Sequence, residues 1–399
     1  MKNILYVLIL FLINIPRIIG LEINSKNVIL YNMNENKVIF ERNANEVISI
    51  ASLTKIMTTI VAIENIDDLD KMVTITSNDY KGLYDASLAG FSVGQTLSYR
   101  DLLYGTFLPS GAEATQALAN NISGSVESFV ELMNKKASEL GMNNTHFSNT
   151  TGLDDKDNYS TVEDVAKLLK YALKNDTFYE IYKSYTYTTS FGKILSSSFR
   201  YTAYVNNCSM PSIIGGKTGY TDDAGRCLAS TAYDKKNAIL YMLVTCRADT
   251  DISKAYHVKD TYNIYNYYFN NYKYQTIFDK GEVLIKIKAK NSWNDYVNFY
   301  ADDKIRYYLQ NDYDTSKIKL EYEGLDEIDQ SIKKNTKLGT LSIYYDNEKI
   351  IEKDIILNNE YHFSLIKYLI GKKAFYILIF LLIFIFIKKI DKHLSYKNN

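Results

Sequence analysis

Between Leu21 and Tyr272, strand-like segments stand at the two ends and helical ones fill the middle. "SKNVILYNMNENKVIFERNAN" (residues 25–45) reads as a hairpin, with Val28, Leu30 and Val38, Phe40 as apolar positions on either side of the polar turn "NMNENK". Helical patterns follow over 52–65, 99–107, 112–120, 125–140 and 161–173, the last opening with Ser160 and Glu163 in capping-box spacing. "AGRCLASTAYDKKNAILYMLVTCRAD" (224–249) then reads as two strands joined by "DKKN", and "SKAYHVKDTYNIYNYYFNNY" (253–272) as a closing helix. That order predicts an α+β domain over 21–272 with an antiparallel sheet. Beyond Tyr274 the pattern changes to short alternating segments, among them "GEVLIKIKA", "DKIRYYLQ" and "LGTLSIYYDNEKIIEKDII". These predict a small all-β domain over 273–362.

The two ends carry a different signal. "MKNILYVLILFLINIPRIIG" has an early Lys2, an apolar run over 4–15 and a small Gly20, the layout of a secretory signal over 1–20, with an uncleaved N-terminal anchor as the alternative. Near the other end, fourteen uninterrupted apolar residues (374–387) lie between lysine pairs. A straight membrane span needs roughly 20 residues, so the run suffices only if Leu365 to Ile370 contribute and the intervening lysines snorkel. On that basis 365–390 is expected to be a membrane anchor, and the lysines after it place the tail 391–399 in the cytoplasm and the body outside.

Composition narrows the partners. The chain has 399 residues, and 46 basic side chains balance 46 acidic ones, so net charge gives no support to a nucleic-acid role. Three cysteines, Cys208, Cys227 and Cys246, have no zinc-site spacing and read as packing residues, with one disulfide possible. The four histidines (146, 257, 362, 393) likewise lack metal spacing, and no cofactor is expected.

"ISIASLTKIMTTIVAIENI" contains the one clear chemical anomaly: a lysine in the first turn of a helix that otherwise wants to be core. Residues three apart share a helix face, with Cβ atoms roughly 5–6 Å apart, so Lys55 can reach Ser52. An apolar site and a helix N-terminus both disfavour the ammonium, and a neutral lysine can take the serine proton. Serine followed by lysine three residues later occurs five times here, at Ser52, Ser190, Ser316, Ser331 and Ser364. Only Ser52 precedes an apolar run that leaves the lysine without a solvent face. Two further stretches fit the same chemistry. "LLYGTFLPSGAEATQALAN" sets Ser110 at the mouth of a small-residue helix, where a hydroxyl can relay a proton. "IIGGKTGYTDDAGRCLAS" puts Lys217, Thr218 and Gly219 on a strand edge, where an ammonium and a hydroxyl can hold a carboxylate and the glycine admits a substrate backbone.

With these elements the chain resembles the penicillin-binding serine hydrolases, which carry Ser-x-x-Lys, Ser-x-Asn and Lys-Thr-Gly motifs. It is most similar to their low-molecular-mass D-alanyl-D-alanine carboxypeptidases, on "IASLTKIMT", "LPSGAEA", "LGMNNTHFSNTTGLDDKDNYSTVEDVAKL" and "GGKTGYTDDAGRCLAS". The resemblance continues into the β domain through "KLGTLSIYYDNEKIIEKDIIL". It implies a β-lactamase/transpeptidase-like catalytic domain in which Ser52 is acylated, Lys55 is its base and Ser110 shuttles protons. Lys217 and Thr218 would hold the terminal carboxylate, with Arg247 as the nearest candidate for the family's carboxylate-binding arginine. Backbone N–H groups of Ser52 and Tyr220 would form the oxyanion hole. The implied partners are peptidoglycan stem peptides ending in D-Ala-D-Ala, and β-lactams, on the outer face of the cell membrane.

One position departs from the pattern: Ala112 stands where the family has asparagine. A catalytically weak penicillin sensor or wall-binding protein is therefore a second reading. A β-lactamase is a third, because Glu139 with Asn143 mimics the spacing of its water-activating carboxylate.

Overall fold

The structure is a computed structural model and describes residues 21–251 and 254–397. The signal expected over 1–20 lies outside the described residues. The chain divides into two units, one up to Asn270 and one from Asn271 onward.

In the first unit, strands β1 (Asn27–Asn32) and β2 (Lys37–Arg42) form the expected hairpin. Helix α1 (Thr54–Glu64) follows, and a two-stranded ribbon of β3 (Met72–Thr74) and β4 (Thr96–Ser98) leads into α2 (Tyr99–Phe107). Then come α3 (Ala112–Ser123), α4 (Val126–Glu139), α5 (Val162–Ala172) and α6 (Asp176–Lys183). A second ribbon, β5 (Thr186–Thr188) with β6 (Ile194–Ser196), precedes α7 (Ser198–Val205). The chain closes with β7 (Ile213–Thr221), β8 (Gly225–Asp234), β9 (Ile239–Ala248) and α8 (Tyr256–Asn271). The main sheet runs β2-β1-β9-β8-β7, antiparallel throughout, so the first and last strands of the unit meet, with Ile29 opposite Val244.

Both faces of this sheet are covered, which changes the expected alternation in β1. Val28, Ile29 and Leu30 are all buried. Ile29, with Ala229 and Val244, joins the large core built on α1 to α5. Val28 and Leu30 point to the opposite face. On that face the Tyr265 hydroxyl of α8 meets the hydroxyl of Ser230 at 3.0 Å. Fully burying a side chain of this size contributes roughly 1.5–3 kcal/mol, so two packed faces fix the strand register that carries the site.

Helix ends follow local chemistry, with one shift from expectation. The cap of α5 is Thr161, whose hydroxyl accepts from Asp164 N at 3.0 Å. Ser160 does not cap because its backbone forms a bridge with Ile48. Helices α6 and α7 and both ribbons went unread in the sequence because each is short. All three cysteines are buried and free, and the thiols of Cys227 and Cys246 touch between β8 and β9.

The second unit is all-β as expected, with its own core of residues such as Leu284, Ile287, Phe299, Leu341 and Ile355. It comprises β10 (Tyr272–Phe278), β11 (Val283–Ala289), β12 (Tyr296–Tyr300), β13 (Ile305–Gln310), β14 (Ile318–Gly324), β15 (Glu327–Ile328), β16 (Lys337–Tyr345) and β17 (Glu348–Ile356). Only the β11–β15 pair is parallel among the described strands. Helices α9 (Leu365–Ile370) and α10 (Lys373–Lys397) follow. No helix among the described residues is long and apolar enough to cross a membrane. The reason is local: α9 ends at its cap Gly371, so its apolar residues do not extend the run in α10. Fourteen apolar residues in one helix reach about 21 Å, against a hydrocarbon core of about 30 Å.

Candidate active site

Ser52 lies in a single 3-10 turn (Ala51–Leu53) that leads into α1, and Ala51 takes a left-handed φ of 47° to start it. Lys55, in the first turn of α1, is 2% exposed and places Nζ 3.0 Å from Ser52 Oγ. The same nitrogen donates to the Thr151 carbonyl at 2.6 Å. That carbonyl is aimed by a polar turn, in which Asn149 Oδ1 accepts from Thr151 N at 3.1 Å and Gly152 N at 2.7 Å. The turn presses on the serine: a Cβ on Gly152, at φ +81°, would fall 1.9 Å from the Ala51 carbonyl oxygen.

Burial pulls the Lys55 ammonium down to about 7, and the Glu113 carboxylate acts against that shift. Glu113 is itself buried and accepts from the backbone N–H groups of Ala89, Gly90 and Phe91 at 3.0, 2.7 and 3.2 Å. It therefore pins the 85–91 loop, which supplies Asp85, Ala86 and Ser87 to the cleft. Ala112 lines the cleft as well, and its N–H donates to the Ser87 carbonyl at 2.8 Å. Alanine at this position offers Lys55 no side-chain amide, and Lys55 holds the Thr151 carbonyl and the Ser52 hydroxyl.

Ser110 sits just before α3 with φ 67°, a strained backbone for a serine, and its hydroxyl accepts from Lys217 Nζ at 2.9 Å. Lys217 is buried on β7 and also donates to the Thr218 carbonyl at 2.9 Å. Burial first, and then the nearby Lys55, push its ammonium well below the ordinary lysine range. The Thr218 hydroxyl meets that of Ser198 at 2.8 Å. Gly219 is where β7 passes the serine: a Cβ there would stand 3.0 Å from Ser52 N, tighter than side chains normally tolerate.

These groups line one cleft of about 220 Å³. Ser52, Lys55, Ser110, Thr218, Gly219 and Tyr220 all face it, and Lys217 joins through Ser110. Arg247 does not line it. Its guanidinium pairs with Glu46 at 2.6 Å, because a left-handed φ of 55° at the end of β9 directs it there. Glu139, the residue on which the lactamase reading rested, is half exposed and pairs with Lys136 at 3.0 Å, away from the cleft. The sequence reading missed Glu113, Thr151, Ser198, Arg226 and His257. Of these, Glu113, Thr151 and Arg226 lie inside stretches already singled out, whereas Ser198 and His257 carry no local signal.

Comparison with known proteins matches the geometry. Residues 15–250 fit the D-alanyl-D-alanine carboxypeptidase family, and 272–362 fit the penicillin-binding protein 5 C-terminal domain. The carboxypeptidase DacF of Bacillus subtilis is 29% identical over 339 residues, covering 83% of this chain and 84% of that protein. The D-alanyl-D-alanine carboxypeptidase of Streptomyces sp. K15 is 38% identical over 46% of this chain and 68% of its own. Among solved structures, Francisella tularensis DacD shares the fold with a TM-score of 0.65 at 22% identity, covering 91% of this chain and 97% of its own. The Streptomyces K15 DD-transpeptidase superposes with a TM-score of 0.55 at 30% identity, over 62% of this chain and 98% of its own. The chain belongs to the D-alanyl-D-alanine carboxypeptidase family of serine hydrolases.

Proposed function

We propose that the cleft removes the terminal D-alanine from peptidoglycan stem peptides through an acyl-enzyme on Ser52. The observation that carries this reading is Lys55: fully buried, drawn down to about 7, and 3.0 Å from the serine hydroxyl. In its neutral form the lysine keeps its bond to the Thr151 carbonyl and turns its lone pair to Ser52. Ser52 Oγ attacks the carbonyl carbon of the D-Ala-D-Ala bond while its proton passes to Lys55. Negative charge develops on the carbonyl oxygen, between the N–H groups of Ser52 and Tyr220. The bond to the leaving D-alanine breaks as its nitrogen takes the Ser110 proton, which Lys217 replaces, and the proton that Lys55 took from Ser52 passes to Lys217, so that both lysines regain their starting states. Water then attacks the ester, its proton passing to the neutral Lys55 and from there to Ser52 Oγ as the acyl–oxygen bond breaks. Thr218 and Lys217 face the substrate's terminal carboxylate. β-Lactams present a carboxylate beside a strained amide and acylate the same serine in this reading.

The protein acts outside the cytoplasm, where peptidoglycan is. The exposed apolar side chains of α10, including Phe380, Ile385 and Phe386, support attachment to the membrane there.

D-Alanine release from diacetyl-Lys-D-Ala-D-Ala by the body, residues 21–364, tests the proposal beside Ser52→Ala. Release that depends on Ser52 is the expected result. Penicillin labelling of Ser52 without release would instead favour the sensor reading, for which Ala112 is the motivating residue, and would make Ala112→Asn the next variant.

A further inference from the structure

The chain has a single tryptophan, and it is not spent on a core: Trp293 is 69% exposed. Folding normally buries most of so large a side chain. Trp293 stands in the turn between β11 and β12, which is closed where Ala289 N donates to the Asp295 carbonyl at 2.9 Å. The turn is tied to the segment before α9. Ser364 N donates to the Asn291 carbonyl at 2.8 Å, and the Tyr361 hydroxyl to the Lys290 carbonyl at 2.6 Å. Lys367 of α9 places Nζ 5.4 Å from the centre of the Trp293 ring. Leu365, Ile366 and Leu369 share one face of α9, and all three are exposed.

What covers this surface follows from chain geometry and charge. Only Gly371 and Lys372 separate α9 from α10, whose large apolar side chains at 376–387 are exposed in turn. Whether α10 dips into one leaflet or lies along it, the residues that lead into it sit at headgroup level. Tryptophan is favoured there, and lysine extends its ammonium from the same depth toward the phosphates. Lys372 repeats the pairing of cation and ring over Tyr368, at 4.9 Å. The surface is thus continuous with the helix for which a lipid partner has been proposed, and it carries the charge that such a partner takes.

We propose that the β11–β12 turn and α9 form a lipid-facing foot of the second unit. Trp293 enters the headgroup region of an anionic membrane beside Leu365, Ile366 and Leu369, and Lys367 and Lys372 meet the lipid phosphates. The foot rests on the membrane attachment proposed for α10. It adds a contact from a folded strand turn, so that the unit is seated on the bilayer and does not swing from a helix alone.

Because Trp293 is the only tryptophan, the unaltered full-length protein reports on the proposal. Its emission, excited where tyrosine does not absorb, is followed with vesicles of phosphatidylglycerol and phosphatidylcholine, plain or with brominated acyl chains. The expected result is a shift to shorter wavelength on binding and quenching by the brominated lipid. Trp293→Ala should still co-sediment through α10, with vesicle affinity lowered about three- to tenfold and D-alanine release from a soluble peptide unchanged. Emission that keeps its aqueous position in protein that has co-sedimented overturns the foot and leaves α10 as the anchor. Protein that does not bind vesicles overturns both. A shift that needs no vesicles and grows with protein concentration would mean that a second copy covers Trp293, and it too overturns the foot. Vesicles of phosphatidylcholine alone should bind more weakly, and equal binding would remove Lys367 and Lys372 from the contact.

Discussion

Lys55 shows how a destabilising residue becomes a functional one. Its folded pKa of about 7 lies below the ordinary lysine value of 10.5, so between those values the unfolded chain carries a proton that the native chain lacks. Raising the pH through that window therefore stabilises the native state, and at lower pH the protein bears the cost of a buried ammonium. Lys55→Met is expected to melt several degrees higher than wild type near pH 7, with the gap narrowing toward pH 10 and acylation abolished. In wild type, the acylation rate with a chromogenic β-lactam should climb between pH 5 and 8 with a midpoint near 7. A flat profile would remove Lys55 as the base. The pairing was legible in the sequence because spacing on a helix fixes which residues meet. Arg226 was not, because its place in the cleft depends on the register between β7 and β8. No sequence spacing encodes that register.

At the scale of elements, helices α1 to α5 were read to within a few residues, since each shows a long apolar period or a cap. The short ribbons and α6 and α7 hold too few turns for a period to emerge. What the sequence also hides is that the 149–152 turn and the 51–53 turn are stacked, the one aiming a carbonyl at Lys55 and the other presenting Ser52. Gly152 is the point of contact, and its left-handed backbone alone would cost an alanine roughly 1–2 kcal/mol. The clash with the Ala51 carbonyl adds to that. Gly152→Ala should therefore lower the melting temperature by several degrees and slow acylation by at least about tenfold, because the Ser52 turn must shift to make room. Stopped-flow acylation together with a thermal melt checks both, and a variant that melts lower yet acylates at the wild-type rate would show that the two turns are mechanically independent.

On the scale of the whole molecule, the division into a mixed unit and an all-β unit was visible as a change of period near Tyr272, and each unit has its own core. The tail was harder to read, because hydropathy counts apolar residues without showing whether one helix carries them. The break at Gly371 settles that point: α10 alone holds the fourteen-residue run, with the large apolar residues at 376–387 all exposed. Leaving these residues in water costs roughly 25 cal/mol per Å² of apolar surface, a cost that the membrane attachment proposed for α10 would relieve. The lysines that flank the run favour anionic headgroups. Full-length protein mixed with vesicles containing anionic lipid should therefore co-sediment, resist high salt and come off in detergent. The body ending at Ser364 should stay in the supernatant and release D-alanine at the full-length rate. Co-sedimentation of that shorter body would place the membrane contact elsewhere, and full-length protein that remains soluble with vesicles present would remove the role of α10 altogether.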